Sequence, residues 1–188
     1  MRARARILRF VTSNPHKFGE AERILKKAGV KIRHERLSSP EIRSDDVAEV
    51  AADSARKLGG TVKPPFFVED AGLFIDALNG FPGAYSAWAL RKVGVQGILR
   101  LMRGVKGRRA SFRSAVALFD GKKVFVFTGE AEGRIASRAR GIGGFGYDPV
   151  FVPLGSRLCF AEMSGSEKDA FSHRRKALEG LARHLLKG

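Results

Sequence analysis

The period of the apolar positions changes several times along this chain, and each change predicts an element. Arg6 to Val11 is apolar and β-prone, which predicts a first strand. Thr12-Ser13-Asn14-Pro15 ends it, and Pro15 carries the φ that suits the first turn of a helix. Phe18, Ala21, Ile24, Leu25 and Ala28 then recur at helical spacing, with Gly29 placed to stop the helix. Val30 to Leu37 alternates as a strand. Asp45 or Asp46 is placed to cap a second helix carrying Val47, Val50, Ala51, Ala55 and Leu58, closed by Gly59-Gly60. After Pro64-Pro65, Phe66-Phe67-Val68 reads as a short buried strand running straight into Glu69-Asp70.

The loop Gly80-Phe81-Pro82-Gly83 leads to a helix from Ser86, interrupted near Gly94 and resumed through Ile98 to Met102. Ser111 to Phe119 and Lys123 to Thr128 are predicted strands joined by the hairpin turn Asp120-Gly121, the second continuing to Ile135. A glycine-rich loop from Gly141 to Gly146 precedes a short strand around Val150. A last helix from near Ser172 carries Ala177, Leu178, Leu181 and Leu185 on one face. The succession βαβα, hairpin, helix predicts an α/β protein with a mixed sheet, because the hairpin has to pair antiparallel.

Composition narrows the class. With 188 residues, 44% of them hydrophobic, the chain suits one domain over 1–188 with a sizeable core. No apolar run approaches the ~20 residues of a membrane helix. The basic start Met1-Arg2-Ala3-Arg4-Ala5-Arg6 is followed only by Ile7 to Val11, broken by Arg9, which is too short for a signal-peptide core. The lone Cys159 excludes an internal disulfide. These features predict a cytoplasmic protein with no membrane partner. A formal charge of +16 favours an anionic partner, either nucleic acid or a phosphorylated small molecule. The basic residues are scattered rather than blocked, so charge alone does not choose between them.

Four clusters change that picture. Thr12-Ser13-Asn14-Pro15-His16-Lys17 lies where a strand ends and a helix opens. Backbone amides and the positive helix end attract phosphate oxygens there, Lys17 adds a full charge, and Ser13 or Asn14 is the cap. The spacing is not that of a P-loop. Glu69-Asp70-Ala71-Gly72 places two carboxylates at the predicted carboxyl end of a strand, where α/β sheets put their sites. Such oxygen donors suit Mg²⁺ shared with substrate phosphates and water. Glu41, in Ser39-Pro40-Glu41-Ile42, is a further acid on a loop. Gly141 to Gly146 satisfies GxGxxG, but Pro149 to Pro153 cannot open the helix a dinucleotide site needs. The glycines instead allow close backbone approach, with Phe145 or Tyr147 available to stack on a base. Lys168, His173 and Arg174 gather at another predicted helix N-terminus, where cations oppose the dipole and are tolerated if they hold an anion.

In order and spacing these clusters resemble the Ham1/inosine triphosphate pyrophosphatase family, its archaeal members especially. The resemblance runs over nearly the whole chain: Thr-Ser-Asn-x-x-Lys-x-x-Glu at 12–20, Glu-Asp-x-Gly-Leu at 69–73 and Phe-Pro-Gly-x-Tyr-Ser at 81–86. It continues with Gly-Phe-Gly-Tyr-Asp-Pro at 144–149, Phe-Ala-Glu-Met at 160–163 and Ser-His-Arg at 172–174. The resemblance implies an elongated α/β fold with a central mixed sheet and a nucleotide cleft between two lobes. It also implies a homodimer, dependence on Mg²⁺, and hydrolysis of ITP, dITP and XTP to the monophosphate and pyrophosphate. By position, Asp70 is the implied proton acceptor and a metal ligand, and Glu41 a second metal ligand. Thr12, Ser13, Asn14 and Lys17 are implied to hold the triphosphate. Ala71, Phe145, Gly146, Tyr147, Asp148, Lys168, His173 and Arg174 are implied to line the nucleoside. Ala71 stands where many members carry Ser, which leaves only a backbone contact at that point.

On this reading water attacks the α-phosphorus and pyrophosphate leaves, with Asp70, or a neighbouring acid such as Glu69, orienting and deprotonating the water. Donors such as His173 and Arg174 favour the 6-carbonyl of hypoxanthine and xanthine over the amine of adenine. Two other readings fit part of the sequence. A basic nucleic-acid-binding module explains the arginines but not Glu69-Asp70, and a pyrophosphatase for other modified nucleotides would use the same chemistry. The partner expected is a purine nucleoside triphosphate, not a stably bound nucleic acid.

Overall fold

A computed structural model describes residues 7–39 and 41–187. Arg6 of the first predicted strand, the basic run before it, Pro40 and Gly188 lie outside the described residues. β1 (Leu8–Val11) runs parallel to β2 (Ile32–Glu35) on one side and to the start of β3 (Phe66–Ile75) on the other. β5 (Arg109–Phe119), β6 (Val124–Ile135) and β7 (Phe151–Pro153) extend the sheet antiparallel from β3, and the two-residue β4 (Pro82–Gly83) pairs with the far end of β3. The order β2-β1-β3-β5-β6-β7 makes the sheet mixed, as the hairpin required.

The helices are α1 (Pro15–Lys27), α2 (Val47–Leu58), α3 (Ser86–Leu101), α4 (Gly165–Phe171) and α5 (His173–Lys187). Asn14 caps α1, its Oδ1 accepting from the amides of His16 and Lys17 at 2.9 and 3.3 Å. Asp46 caps α2. Gly94, at φ 63°, breaks α3 where the sequence predicts an interruption. The Asp120 carboxylate accepts from the amides of Lys122 and Lys123 and closes the β5–β6 hairpin. Among the described residues no helix is long and apolar enough to cross a membrane.

Two cores lie along one sheet. At one end α1 and α5 bury Ala21, Ile24, Leu25, Leu178 and Leu181 against Phe10, Phe67 and Val116, while α2 covers the opposite face over Phe66, Val68 and Ala117. The strands β3, β5 and β6, of 10, 11 and 12 residues, carry on to a second core. There Leu73 and Ile75 meet Ile98, Met102, Ile135, Phe151 and Phe160. The result is the elongated two-lobed α/β fold expected from the resemblance. Gly129 positions the active end of α5: a Cβ there would lie 2.2 Å from the carbonyl oxygen of His173, so only glycine lets the first turn of the helix rest on β6.

Three expectations need correction. The strand placed around Val150 begins at Phe151, because Tyr147 and Val150 sit in hydrogen-bonded turns. Residues 165–171 form a separate helix, α4, closed at its start by a capping box between Ser164 and Glu167. Glu69 and Asp70 lie inside β3 rather than at its carboxyl end, since β5 keeps the ladder going to Ile75.

Candidate active site

Where the two cores part, a cleft of about 490 Å³ crosses the middle of the long strands. It gathers Thr12, Ser13, Asn14, Lys17, Glu41, Asp70, Ala71, Phe145, Gly146, Tyr147, Asp148, Lys168, His173 and Arg174, so the residues to which the resemblance gives a role meet in one place. One end is built from the β1–α1 turn. The Asn14 amide donates to the Thr12 hydroxyl at 3.1 Å, which curls this turn around the helix start. Lys17 reaches from the first helical turn to the Glu69 carbonyl at 3.1 Å and the Glu69 carboxylate at 3.0 Å.

Adjacent carboxylates on β3 have opposite fates because consecutive side chains on a strand point to opposite faces. Glu69 shares the face of Phe67 and meets α1 and α5. It accepts from the Ser114 hydroxyl at 2.7 Å and from Arg174 Nε at 3.1 Å. Burial opposes its charge, but Arg174 and Lys17 prevail and hold its carboxyl well below the usual carboxylate range. Asp70 turns to the other face. Its Oδ2 is buried without a hydrogen-bond partner among the described residues. Burial pushes its pKa up to about 6, with the charges of Glu69 and Glu41 adding to the rise and Lys17 opposing it. Glu69 Oε2 also lacks a hydrogen bond, but Glu69 is ion-paired to Lys17 and Arg174, whereas Asp70 has no ion pair among the described residues and is the acid left open to a ligand.

An unpartnered carboxylate oxygen with a second carboxylate close enough to repel it fits a hard divalent cation. Among the described residues no group of three or more acidic, histidine or cysteine side chains makes a ready cage, so the remaining ligands of such an ion would come from substrate and water.

Behind the cleft runs a buried chain of charges. Arg174 pairs with Glu69 and, through its other nitrogen, with Glu20. Lys168 pairs with Glu20 at 2.7 Å and with Asp148 at 2.5 Å. With Lys17 this makes three cations and three carboxylates in alternation. Glu20 ionises at about 2, since Arg174 and Lys168 outweigh the burial that opposes its charge. The cluster 166–175 is thus no free anion trap. Lys168 sits in the last turn of α4, the favourable end for a cation, and Lys168 and Arg174 are matched by buried carboxylates.

At the other end of the cleft, the amide of Phe145 donates to Asp148 Oδ2 at 2.8 Å, which shapes the glycine-rich loop. The Phe145 ring is half-buried with Lys168 Nζ 4.9 Å from its centroid. Tyr147 is 3% exposed and its hydroxyl donates to the Ser86 carbonyl at 3.2 Å, so of the two aromatics offered for stacking only Phe145 is free to serve. Burial, with Arg174 beside it, holds the His173 pKa well below its ordinary value and keeps the imidazole neutral. Its ring lies on Phe112 at 4.8 Å and its Nδ1 has no hydrogen-bond partner among the described residues. A neutral, unpartnered imidazole nitrogen can exchange one hydrogen bond with a ligand.

Sequence reasoning missed several residues. Glu20 ends the motif at 12–20, but its role as a buried partner of Lys168 and Arg174 does not follow from the motif; its place one helical turn after Lys17, beside the apolar stripe of Ala21, Ile24 and Leu25, was the available signal. His34 Nε2 lies 2.9 Å from the Thr12 carbonyl oxygen while its ring stacks on Phe18 at 4.3 Å; a lone histidine in an edge strand gave no sign of this. Tyr85, just before α3, and Trp88 and Arg91 on it also line the cleft.

Comparison with known proteins agrees with this geometry. The model of the Ham1 family matches residues 8–184. A dITP/XTP pyrophosphatase of Thermococcus kodakarensis is 47% identical over 178 residues, covering 95% of this chain and 96% of its own. A dITP/XTP pyrophosphatase of Hyperthermus butylicus is 44% identical over 181 residues, covering 96% and 95%. The solved structure of a HAM1 protein from Coxiella burnetii superposes with a TM-score of 0.80 at 31% identity, over 97% of this chain and 100% of that one. The chain belongs to the Ham1 family.

Proposed function

We propose that this protein hydrolyses ITP, dITP and XTP to the nucleoside monophosphate and pyrophosphate, in a reaction that depends on Mg²⁺. The observation that carries the reading is the continuity of one cleft, which joins the β1–α1 amide turn, the open carboxylate of Asp70 and the Phe145–His173 end. The dITP/XTP pyrophosphatases of Thermococcus kodakarensis and Hyperthermus butylicus, to which the chain is similar, support it.

The positive end of the α1 dipole and the Lys17 ammonium stabilise the triphosphate and the negative charge that gathers on the leaving pyrophosphate. Asp70, with a pKa of about 6, is a carboxylate near neutral pH yet basic enough to take a proton from water. Glu41 and Asp70 would hold Mg²⁺, whose chemistry there is to neutralise phosphate charge. At the base end Phe145 offers a face for stacking whatever the base. His173 is neutral and has an open ring nitrogen, so it can hydrogen-bond a base edge without adding charge. Rejection of an analogue that leaves such a buried group unpaired reaches about 10⁴-fold.

The test is pyrophosphate release from ITP, dITP, XTP, GTP, ATP and dTTP, each with Mg²⁺ and with EDTA. Release from ITP, dITP and XTP far above the rest, and abolished by EDTA, is the expected result. Equal rates on ATP and ITP would contradict the base end, and undiminished release in EDTA would contradict the metal.

A further inference from the structure

The loop that presents Phe145 is pinned at its backbone, the Phe145 amide donating to Asp148 Oδ2 and its carbonyl accepting from the Asp148 amide, so the freedom in question is that of the ring. Gly144 and Gly146 flank it at φ 69° and 65°. A second cavity, of about 420 Å³, opens behind it and is lined by His16, Gly144, Phe160 and Met163 among others. Phe145 and Lys168 line both this cavity and the main cleft, so the ring stands as a partition with open space on either side. A ring beside a solvent-open cavity has somewhere to go, and close packing is what normally prevents such a departure.

Lys168 and Arg174 lie over the ring at 4.9 and 5.6 Å from its centroid, and one aromatic contact adds to them. The imidazole of His16 stacks on Phe145 with centroids 5.2 Å apart and planes 14° from parallel. His16 lines the rear cavity and is not among the residues of the main cleft, so its ring meets Phe145 from the side of α1. It is also fixed at its own base. Its amide donates to Asn14 Oδ1 at 2.9 Å, and the next residue is Lys17, anchored on Glu69. A stacked ring on the first turn of α1 therefore spans from the phosphate end of the cleft to the base end.

We propose that His16 is a positioning residue that braces Phe145 against the rear cavity and so fixes the platform for the base relative to the phosphate turn. The proposal rests on the nucleotide reading above and adds a residue to it. Stacking, and not the ring nitrogens, supplies the brace, so His16→Phe preserves it and His16→Ala removes it. The loss falls on the base and spares the phosphates.

The kinetic test compares wild type, His16→Ala and His16→Phe on dITP, with inorganic tripolyphosphate as a competitive inhibitor lacking a base. In His16→Ala, KM rises about three- to tenfold, the range that the energy of one aromatic pair converts to. Its kcat changes by less than about twofold, the Ki of tripolyphosphate stays as in wild type, and His16→Phe behaves as wild type. Adding His16→Ala to Phe145→Ala causes no further loss, because the brace then has nothing to hold. An equal loss of tripolyphosphate affinity, an unchanged KM, or additive effects would each overturn the proposal. A second readout needs no nucleotide. In protein labelled with fluorophenylalanine, the Phe145 resonance stays single in wild type and His16→Phe, and broadens or splits in His16→Ala. An unchanged resonance in His16→Ala overturns the brace whatever the turnover. A changed resonance in a protein inert on every triphosphate supports the brace and strikes only at the nucleotide reading.

Discussion

Asp70→Asn lowers kcat on dITP by about 10³- to 10⁴-fold while the protein stays folded. The substitution keeps the shape of the side chain and removes the only features the chemistry uses, a proton acceptor and an anionic oxygen open to a cation. It also relieves a charge that the fold tolerates poorly. The folded pKa of about 6 stands above the ordinary value of 3.8, so stability from the neutral acid is fully present below 3.8 and is lost as pH rises through about 6. The whole interval corresponds to on the order of 2–3 kcal/mol. In EDTA at pH 8 the Asn variant therefore melts above wild type, by on the order of 5 °C for a chain of this size. Near pH 3.5, where Asp70 is protonated, the two melt together. Residual turnover within tenfold of wild type, or identical melting at both pH values, would remove Asp70 from its assigned place.

Arg174→Met produces the largest loss of stability in the cleft. The methionine fills much of the arginine's volume, so the change tests charge more than packing. It leaves Glu69 and Glu20 as buried carboxylates, one still paired with Lys17 and the other with Lys168. Removing one partner from a buried ion cluster costs about 3–5 kcal/mol, which for a protein of this length corresponds to a fall in Tm of roughly 10 °C. Arg174→Lys recovers only part of it, because an ammonium cannot present two nitrogens along separate directions to two carboxylates. Thermal melts at pH 7 decide the matter, and a fall of less than about 2 °C in Arg174→Met would show that the alternating charges are not a stabilising unit.

The elements were legible where local signals acted alone. A cap at Ser13 or Asn14 and another at Asp45 or Asp46, of which the structure uses Asn14 and Asp46, Gly94 as a break and Asp120-Gly121 as a hairpin all depend on a few neighbouring residues. The membership of the cleft was legible too, through the order of the motifs. The division of labour inside it was not. Glu69 and Asp70 are neighbours in the chain, and only the facing of β3 sends one to Arg174 and leaves the other open. Likewise, Lys168 and Arg174 read as an excess of cations because Glu20 and Asp148, which neutralise them, stand 148, 154 and 20 positions away in the pairs they form. Tyr147 and Phe145 differ by two positions, and burial against α3 separates a structural ring from an available one. Pairing across the chain is invisible to spacing, and it is pairing that decides which charges in this cleft are spent.

The most direct test of the central claim is hydrolysis of dITP in ¹⁸O-enriched water with Mg²⁺, followed by mass spectrometry of both products. Attack on the α-phosphorus predicts one pyrophosphate for each monophosphate, with the label in dIMP and none in pyrophosphate. Label in the pyrophosphate, or release of orthophosphate and dIDP, would contradict the account of this cleft as a pyrophosphohydrolase.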